Sequence, residues 1–535
     1  MPDAFAGTAQ LLRFGVRRDR VLIPAWGAVF LAYTVGGTSA AVALYPDLAS
    51  RSQAAAAVNG MPALVAMYGR IWDPTSVGSV AMLKPIGFGG VFAAVFATLL
   101  VTRHTRAEEE SGRLELVRTQ AVGWLAPLAS ALLLAVGVMA LLMLVNGAGV
   151  TAAGLPAAGA WAFASSVCLT GILFAVIAGA AVQLTQAART ANMLVFAALA
   201  GAFVLRGSAD AAGTAASTSW WGWLSPLGWQ DQVRPFAGDH VWVLALFAPV
   251  IALALLLAFR LAGARDFDAG LLPTRDGRAS ASPSLRSVFA LCFRLQRALL
   301  GVQLVAYALM SMLLGAIVSN IQGMLDSPEV VDLLTRLGGS NRLVDAFTSF
   351  EISFASIVTA VCGVALARRF AAEEQAGRIE PVLATAVARW RVMGGFFMMS
   401  LTGTAAMQLV LGLGFGLANG MQLNDFSSFA STLAASLVYL PAIWLVLAIT
   451  FALMAYAPAR SQLTWSVVAI VIVISEFGSM YRWPSALLNV SPFTHVPLMP
   501  SHAMAWTPTL LLLLATGLIG GAAFAGYGRR DLAVP

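Results

Sequence analysis

The chain has 535 residues, 59% of them hydrophobic and 11% charged, where a soluble domain carries roughly 25% charged residues. The apolar residues come in runs of about 20 or more, long enough to cross a hydrocarbon core of about 30 Å. A soluble fold is therefore excluded, and the net charge of +7 speaks to membrane topology rather than to nucleic acid.

Residues 4–20 form a short amphipathic stretch with Arg13, Arg17, Arg18 and Arg20, expected on the membrane surface. The first span, 21–45, is too long for a signal-peptide core and reads as retained. A polar, Ala-rich stretch follows at 46–79, then a second span at 82–102. A charged loop runs from Arg103 to Trp124 as RHTRAEEESGRLELVRTQAVGW. Spans three to six are expected at 124–146, 157–183, 190–206 and 241–263. Between the last two, SWWGWLSPLGW holds Trp220, Trp221, Trp223 and Trp229, the composition of an interfacial aromatic belt. Residues 264–287 are rich in Pro, Gly, Ser and Asp and read as a linker.

The pattern then restarts. An amphipathic stretch with Arg294 and Arg297 leads into span seven at 299–319, and span eight is expected at 350–367. From Arg368 a second charged loop reads RRFAAEEQAGRIEPVLATAVARW. Spans nine to twelve fall at 393–417, 430–456, 463–481 and 506–527. Glu108, Glu109, Gly112, Arg113 and Glu115 recur as Glu373, Glu374, Gly377, Arg378 and Glu380, all at an offset of 265 residues. Arg265-Asp266 recurs as Arg530-Asp531 at 265, and Ser225-Pro226 as Ser491-Pro492 at 266. Ala188-Arg189 recurs as Ala459-Arg460 at 271. Such self-similarity marks a duplicated unit. The expected fold is an all-α polytopic membrane protein of twelve transmembrane helices in two six-helix halves, 1–263 and 288–535. Six is even, so the halves are parallel repeats. The amino end and the loops after even-numbered spans hold 24 of the 32 basic residues. The positive-inside rule puts them, both charged loops and both termini in the cytoplasm.

Catalysis finds little support in the residues. The one lysine, Lys84, is followed by Pro85, so no phosphate-binding loop of the G-x-x-x-x-G-K-[ST] form can be built. His104, His240, His495 and His502 show no ligand spacing, and Cys168, Cys292 and Cys362 lie in or beside apolar segments; neither a metal site nor a disulfide is expected. An ion-driven secondary drug carrier is the alternative reading. Such carriers place ionisable groups near the bilayer midplane, whereas Lys84, Glu351 and Glu476 sit at the outer ends of their spans and suit interfacial anchors. Gly412, Gly416 and Gly420, four apart on span nine, predict a close-packed helix face. Gln183, Gln186 and Asn192 flank Arg189 at a cytoplasmic turn and are read as solvating it. A solvated turn has no need to keep a fixed order of charges, but a loop that docks on a partner does, and the order Glu-Glu-x-x-Gly-Arg-[Leu/Ile]-Glu is kept twice.

On Glu108-Glu109-Glu110-Ser111-Gly112-Arg113-Leu114-Glu115, on Leu224-Ser225-Pro226-Leu227-Gly228-Trp229, and on Arg265-Asp266 with Gly270-Leu271-Leu272 after it, the chain resembles the membrane subunits of ABC-2 type ABC transporters. It is similar in particular to the fused, twelve-span actinobacterial permeases of the polyketide-antibiotic exporter, tetronasin-resistance type. The resemblance implies a permease subunit in the bacterial inner membrane that moves hydrophobic drugs, antibiotics or lipid-like molecules outward. It implies that the chain binds no cofactor itself, and that ATP and Mg are bound by two copies of a separate ATP-binding subunit. The segment between the second and third spans of each half would couple to that subunit: Glu108, Glu109, Glu110, Gly112, Arg113 and Glu115, then Glu373, Glu374, Gly377, Arg378 and Glu380. It also implies short re-entrant outer helices capping the exit path, around Trp223, Ser225, Pro226 and Trp229 and around Ser491, Pro492 and His495. The second half departs from the pattern: Gln375 replaces a third acid, Pro381 follows the last glutamate, and Thr494-His495 replaces Gly-Trp.

Overall fold

The computed structural model describes residues 4–325 and 340–531, apart from 120, 215–216, 267–268, 273–279, 281, 283–284, 462 and 478–483. Among the described residues the regular structure is helical, with no strand. The chain divides into two compact units, Met1–Gly277 and Arg278–Pro535.

In the first unit, α1 (Thr8–Arg18) turns by 64° into α2 (Leu22–Leu31), which runs through one π turn into α3 (Gly37–Leu44). Asp19 ends α1, and its buried carboxylate meets Arg103 at 3.0 Å and His104 at 2.7 Å. Three short helices follow, α4 (Leu48–Asn59), α5 (Pro62–Tyr68) and α6 (Val77–Ala81). The long helix α7 (Leu83–His104) breaks at Thr105 into α8 (Arg106–Glu110) and α9 (Arg113–Arg118). Then come α10 (Ala126–Ala152), α11 (Ala157–Leu184), α12 (Ala188–Ala211), the short α13 (Pro226–Gln232) and α14 (Phe247–Ala264). Helix α11 is the core. Its sequence is apolar on every side and rich in Ala, Gly and Ser, so α7, α10 and α14 can all pack closely around it.

The second unit holds α15 (Val288–Leu325), α16 (Ser340–Gln375), α17 (Glu380–Leu383), α18 (Arg389–Leu423), α19 (Phe429–Leu437), α20 (Leu440–Tyr456), α21 (Leu463–Phe477), α22 (Ser485–Leu488) and α23 (Trp506–Arg529). Here α20 is central, with Ile443, Val446, Leu447 and Phe451 fully buried, packed by α16, α18 and α23.

Twelve spans are expected; among the described residues ten helices are long and apolar enough to cross a membrane. Expected span one corresponds to α2 and α3, which meet that test only jointly with α1 across the bend. Expected span eleven corresponds to α21, of 15 residues, while 478–481 lie outside the described residues. The two units also differ in detail. The stretch with Arg294 and Arg297 is continuous with span seven, as the start of α15. That helix carries no acidic residue in its first turn, whereas Asp19 ends α1 in the first unit. Likewise α16 runs unbroken through Glu373 and Glu374, where α7 breaks before its glutamates.

Gly412, Gly416 and Gly420 do form a packing face, on α18 against α19 and the turn before it. A Cβ on Gly412 would lie 3.0 Å from Leu433 Cα, and Cβ atoms on Gly416 and Gly420 would meet the Phe429 and Phe426 rings. Overpacking a fitted contact costs about 1–3 kcal/mol. Gly412→Ala is expected to lower the thermal unfolding midpoint in detergent accordingly. Gly517→Ala, at a glycine with nothing within 4 Å, should not lower it.

Candidate functional site

Both charged turns are built on a glycine. Gly112 has φ +69° and Gly377 φ +67°, left-handed values that cost other residues free energy. Each glycine N–H donates to the carbonyl three residues back, Glu109 and Glu374, both at 2.9 Å. The glycine thereby ends one helix and sends the arginine and last glutamate of the motif along a new direction.

The turn separates the motif into an inward and an outward set. In the first unit Glu109 is buried, takes one bond from Arg106, and pairs through its other oxygen with Arg265 at 2.5 Å. Arg106 is itself 1% exposed and donates to the carbonyls of Thr185 and Ala269. Arg265 also donates to the Gln183 side chain at 2.5 Å. Glu108 pairs with Arg18 at the end of α1. Glu110 accepts from the Ala188 N–H at 2.5 Å, at the start of α12. The turn is thus tied to the surface helix, to the α11–α12 turn and to the chain leaving α14.

The second unit repeats most of these ties. Glu374 is buried and pairs with Arg530 at 2.6 Å. The residue spacing is 156 for both Glu374–Arg530 and Glu109–Arg265. Gln375, standing where Glu110 stands, reaches Ser461 Oγ at 3.4 Å, and Arg368 donates to the Ser461 carbonyl at 2.6 Å. Glu373 differs from Glu108. It pairs with Arg369 at 2.5 Å and with Arg378 at 2.6 Å, and its carboxylate holds the Arg378 guanidinium above its usual range.

What remains outside matches across the two turns. Glu110, Ser111, Arg113, Glu115 and Leu116 are exposed, and so are Gln375, Ala376, Arg378, Glu380 and Pro381 at the same offset. The basic groups that receive Glu109 and Glu374 therefore belong to this chain, and so do those that receive Glu108 and Glu373. The exposed set is the face a partner meets, and within it Arg113 and Arg378 also pair with Glu108 at 3.7 Å and Glu373 at 2.6 Å. Among the described residues no three His, Cys, Asp or Glu side chains come together to hold a metal.

At the far end of each unit the Ser-Pro pairs are helix starts, as serine at an N-cap and proline after it favour. Ser225 caps the Gly228 N–H at 3.4 Å and donates to Ala202 of α12 at 2.7 Å. Ser491 caps the Phe493 N–H at 3.3 Å and meets Ser475 of α21 at 2.7 Å. The helix after Pro226 has seven residues and that after Pro492 four. Trp229 donates to the Trp223 carbonyl at 2.5 Å, and His495 meets the Asn489 carbonyl at 3.0 Å; Trp229 and Trp223 are half-buried and His495 is too.

Several residues have roles the sequence did not suggest. Gln183 does not solvate a turn: it is buried and holds Arg265. Asn192 accepts from Thr102 at 2.7 Å. Arg265 and Arg530 stand in the sequence as a repeated Arg-Asp pair with no stated partner, yet they repeat at the same 265 offset as the turns they hold, and that shared offset is the available signal. Arg206, Asp210 and Asp231 form a further buried charged cluster beside α13, with half-buried Arg234 next to it.

Removing one partner of a buried pair strands the other and costs about 3–5 kcal/mol. Glu109→Gln and Arg265→Gln should each destabilise the detergent-solubilised chain on that scale. The double substitution should fall short of the sum by about 1 kcal/mol or more, read by thermal unfolding.

The family model described as the C-terminal domain of the multidrug efflux system permease Rv1217c matches residues 12–260 and 285–528. The multidrug efflux system permease protein Rv1217c of Mycobacterium tuberculosis is 36% identical over 533 residues, covering 99% of this chain and 96% of that protein. Both matches take in both charged turns and both Ser-Pro helix starts. The chain belongs to this multidrug efflux permease family.

Proposed function

We propose that this chain is the permease subunit of an ATP-driven drug exporter of the ABC-2 type. It would cross the bacterial inner membrane twelve times as two parallel six-span halves, with both termini in the cytoplasm. The observation that carries the reading is the matched outward face of the two turns, each held rigid from inside by a buried Glu–Arg pair. A surface built twice, with the same positions exposed, suits two copies of one partner. An ATP-binding subunit is the partner that supplies energy to a chain with no phosphate-binding loop, and ATP with Mg would reside there. The rigid ties would carry a push on either turn into the turn after the fourth or tenth span and the last span of that half, and a push on the first turn into the surface helix as well. The apolar spans suit a hydrophobic small molecule, in line with the relative's name, and the Ser-Pro helices would form the outer gate.

The test uses the outward set, because changing Glu109 or Glu374 would disturb the fold itself. Glu115→Lys with Leu116→Ser in the first turn, and Glu380→Lys in the second, leave the inward pairs intact. Each turn's variant should weaken recovery of the ATP-binding subunit with the tagged chain by roughly tenfold, the scale of about 1.4 kcal/mol. Altering both turns should abolish recovery and drug export while membrane insertion stays normal. Undiminished recovery with both turns altered would end the docking reading. Export that persists without ATP and follows an ion gradient would select the ion-driven carrier instead.

A further inference from the structure

The outer end of the first unit hides a charged cluster inside protein. Helix α13 turns Gln230, Asp231 and Gln232 inward, each 2–3% exposed. Gln230 ties it to α7 by donating to the Ile86 carbonyl at 2.7 Å. Asp231 faces Arg206 and Asp210 of α12, Trp72 on the segment between α5 and α6, and Arg234 just after α13. Lys84 of α7 lies instead over the Tyr68 ring, at 5.8 Å.

Within the cluster Arg206 pairs with Asp210 at 3.6 Å, and Arg206 and Arg234 both oppose the effect of burial on Asp231. Arg206 donates to the carbonyls of Ala66 and Met67, at 3.1 and 2.9 Å, closing the end of α5. Arg70 closes the end of α12 in the same way, through the Asp210 and Gly213 carbonyls. The Arg234 guanidinium lies 3.7 Å from the centre of the Trp72 ring. Asp231 Oδ2 is buried with no hydrogen-bond partner. The backbone leaves room for this acid: Gly69, at φ +91°, would place a Cβ 2.8 Å from Asp231 Oδ1.

We propose that Asp231 is a proton-binding site that latches α13 shut, holding a proton while the outer end of this unit is closed and releasing it when α13 lifts away. A carboxylate buried beside a second acid, with one oxygen unmatched, favours its neutral form. Burial first, and Asp210 second, push the Asp231 carboxyl up to about 8; in water it returns to about 3.9. The closed state therefore binds more protons than the open one. Closure is fully favoured below the open-state value and weakens as pH rises through that window to about 8, with no further change above it. The sequence of the second unit keeps only part of this set: at the 266-residue offset of the Ser-Pro pairs Asp210 corresponds to Glu476. At the same offset, positions 206 and 231 correspond to Ile472 and Pro497, and the ring stack of Tyr439 on Phe493 stands nearby.

The latch rests on the reading of α13 as part of the outer gate, and one experiment separates the two. In a full-length chain whose native cysteines are replaced, Leu227→Cys probes the buried face of α13, and Thr214→Cys serves as an exposed reference. Labelling from outside by an impermeant maleimide is taken as the ratio of the two. The ratio should rise by about tenfold per pH unit, the slope of one proton, and flatten above about 8. Asp231→Asn, which keeps the shape of the protonated acid, should hold the ratio low and flat. A ratio independent of pH in the unaltered chain overturns the latch. A rise that survives Asp231→Asn overturns it as well. Labelling that appears only during export, at any pH, would overturn the proton site and leave the outer gate standing.

Discussion

A buried glutamate held by an arginine 156 residues further along is the contact on which each charged turn depends. Glu109 with Arg265, and Glu374 with Arg530, sit where the helices leave the apolar part of the unit. A carboxylate at 6–8% exposure would be costly alone. The paired guanidinium makes the burial tolerable only in one geometry. That requirement fixes where the turn lies relative to the last long helix of the same unit, and Gly112 or Gly377 then fixes which residues point away.

The two turns reach this arrangement by different local routes. In the first unit, α7 breaks at Thr105, and Arg106 turns inward to bind the carbonyls of Thr185 and Ala269. In the second, α16 continues unbroken, and Arg368 makes the corresponding tie to Ser461. Glu108 reaches Arg18 at the end of a distinct surface helix, whereas Glu373 finds its arginines within its own segment. The ties to the inter-span turn and to the last helix are common to both units; the tie to the surface helix is confined to the first.

The far ends differ more. Both place serine and proline at the start of a short helix and anchor it to the helix before it. The first unit then buries Asp210, Asp231 and Arg206 beside that helix, and Arg206 and Arg70 close the ends of α5 and α12. In a chain with few charges to spend, such burial needs a reason beyond packing, because apolar side chains of similar size would usually serve stability as well.

Composition and run length alone settled that this chain is a helical membrane protein, because crossing hydrocarbon leaves the backbone little choice but helix. The 265-residue offset located both charged turns and both glycines, and the 266-residue offset the Ser-Pro pairs, since these depend on local conformation and on residue types with narrow preferences. Tertiary structure decided which charges face inward. Glu109 and Glu115 look alike in the sequence, and only the approach of Arg265, brought back by the packing of α14 on α11, buries one and leaves the other exposed. The same holds for Gln183, a polar residue at a turn until Arg265 arrives, and for Asp231 and Arg206, 25 positions apart in the chain and joined only when α13 folds onto α12. Long-range ion pairs have no periodicity, so no local pattern in the sequence records them.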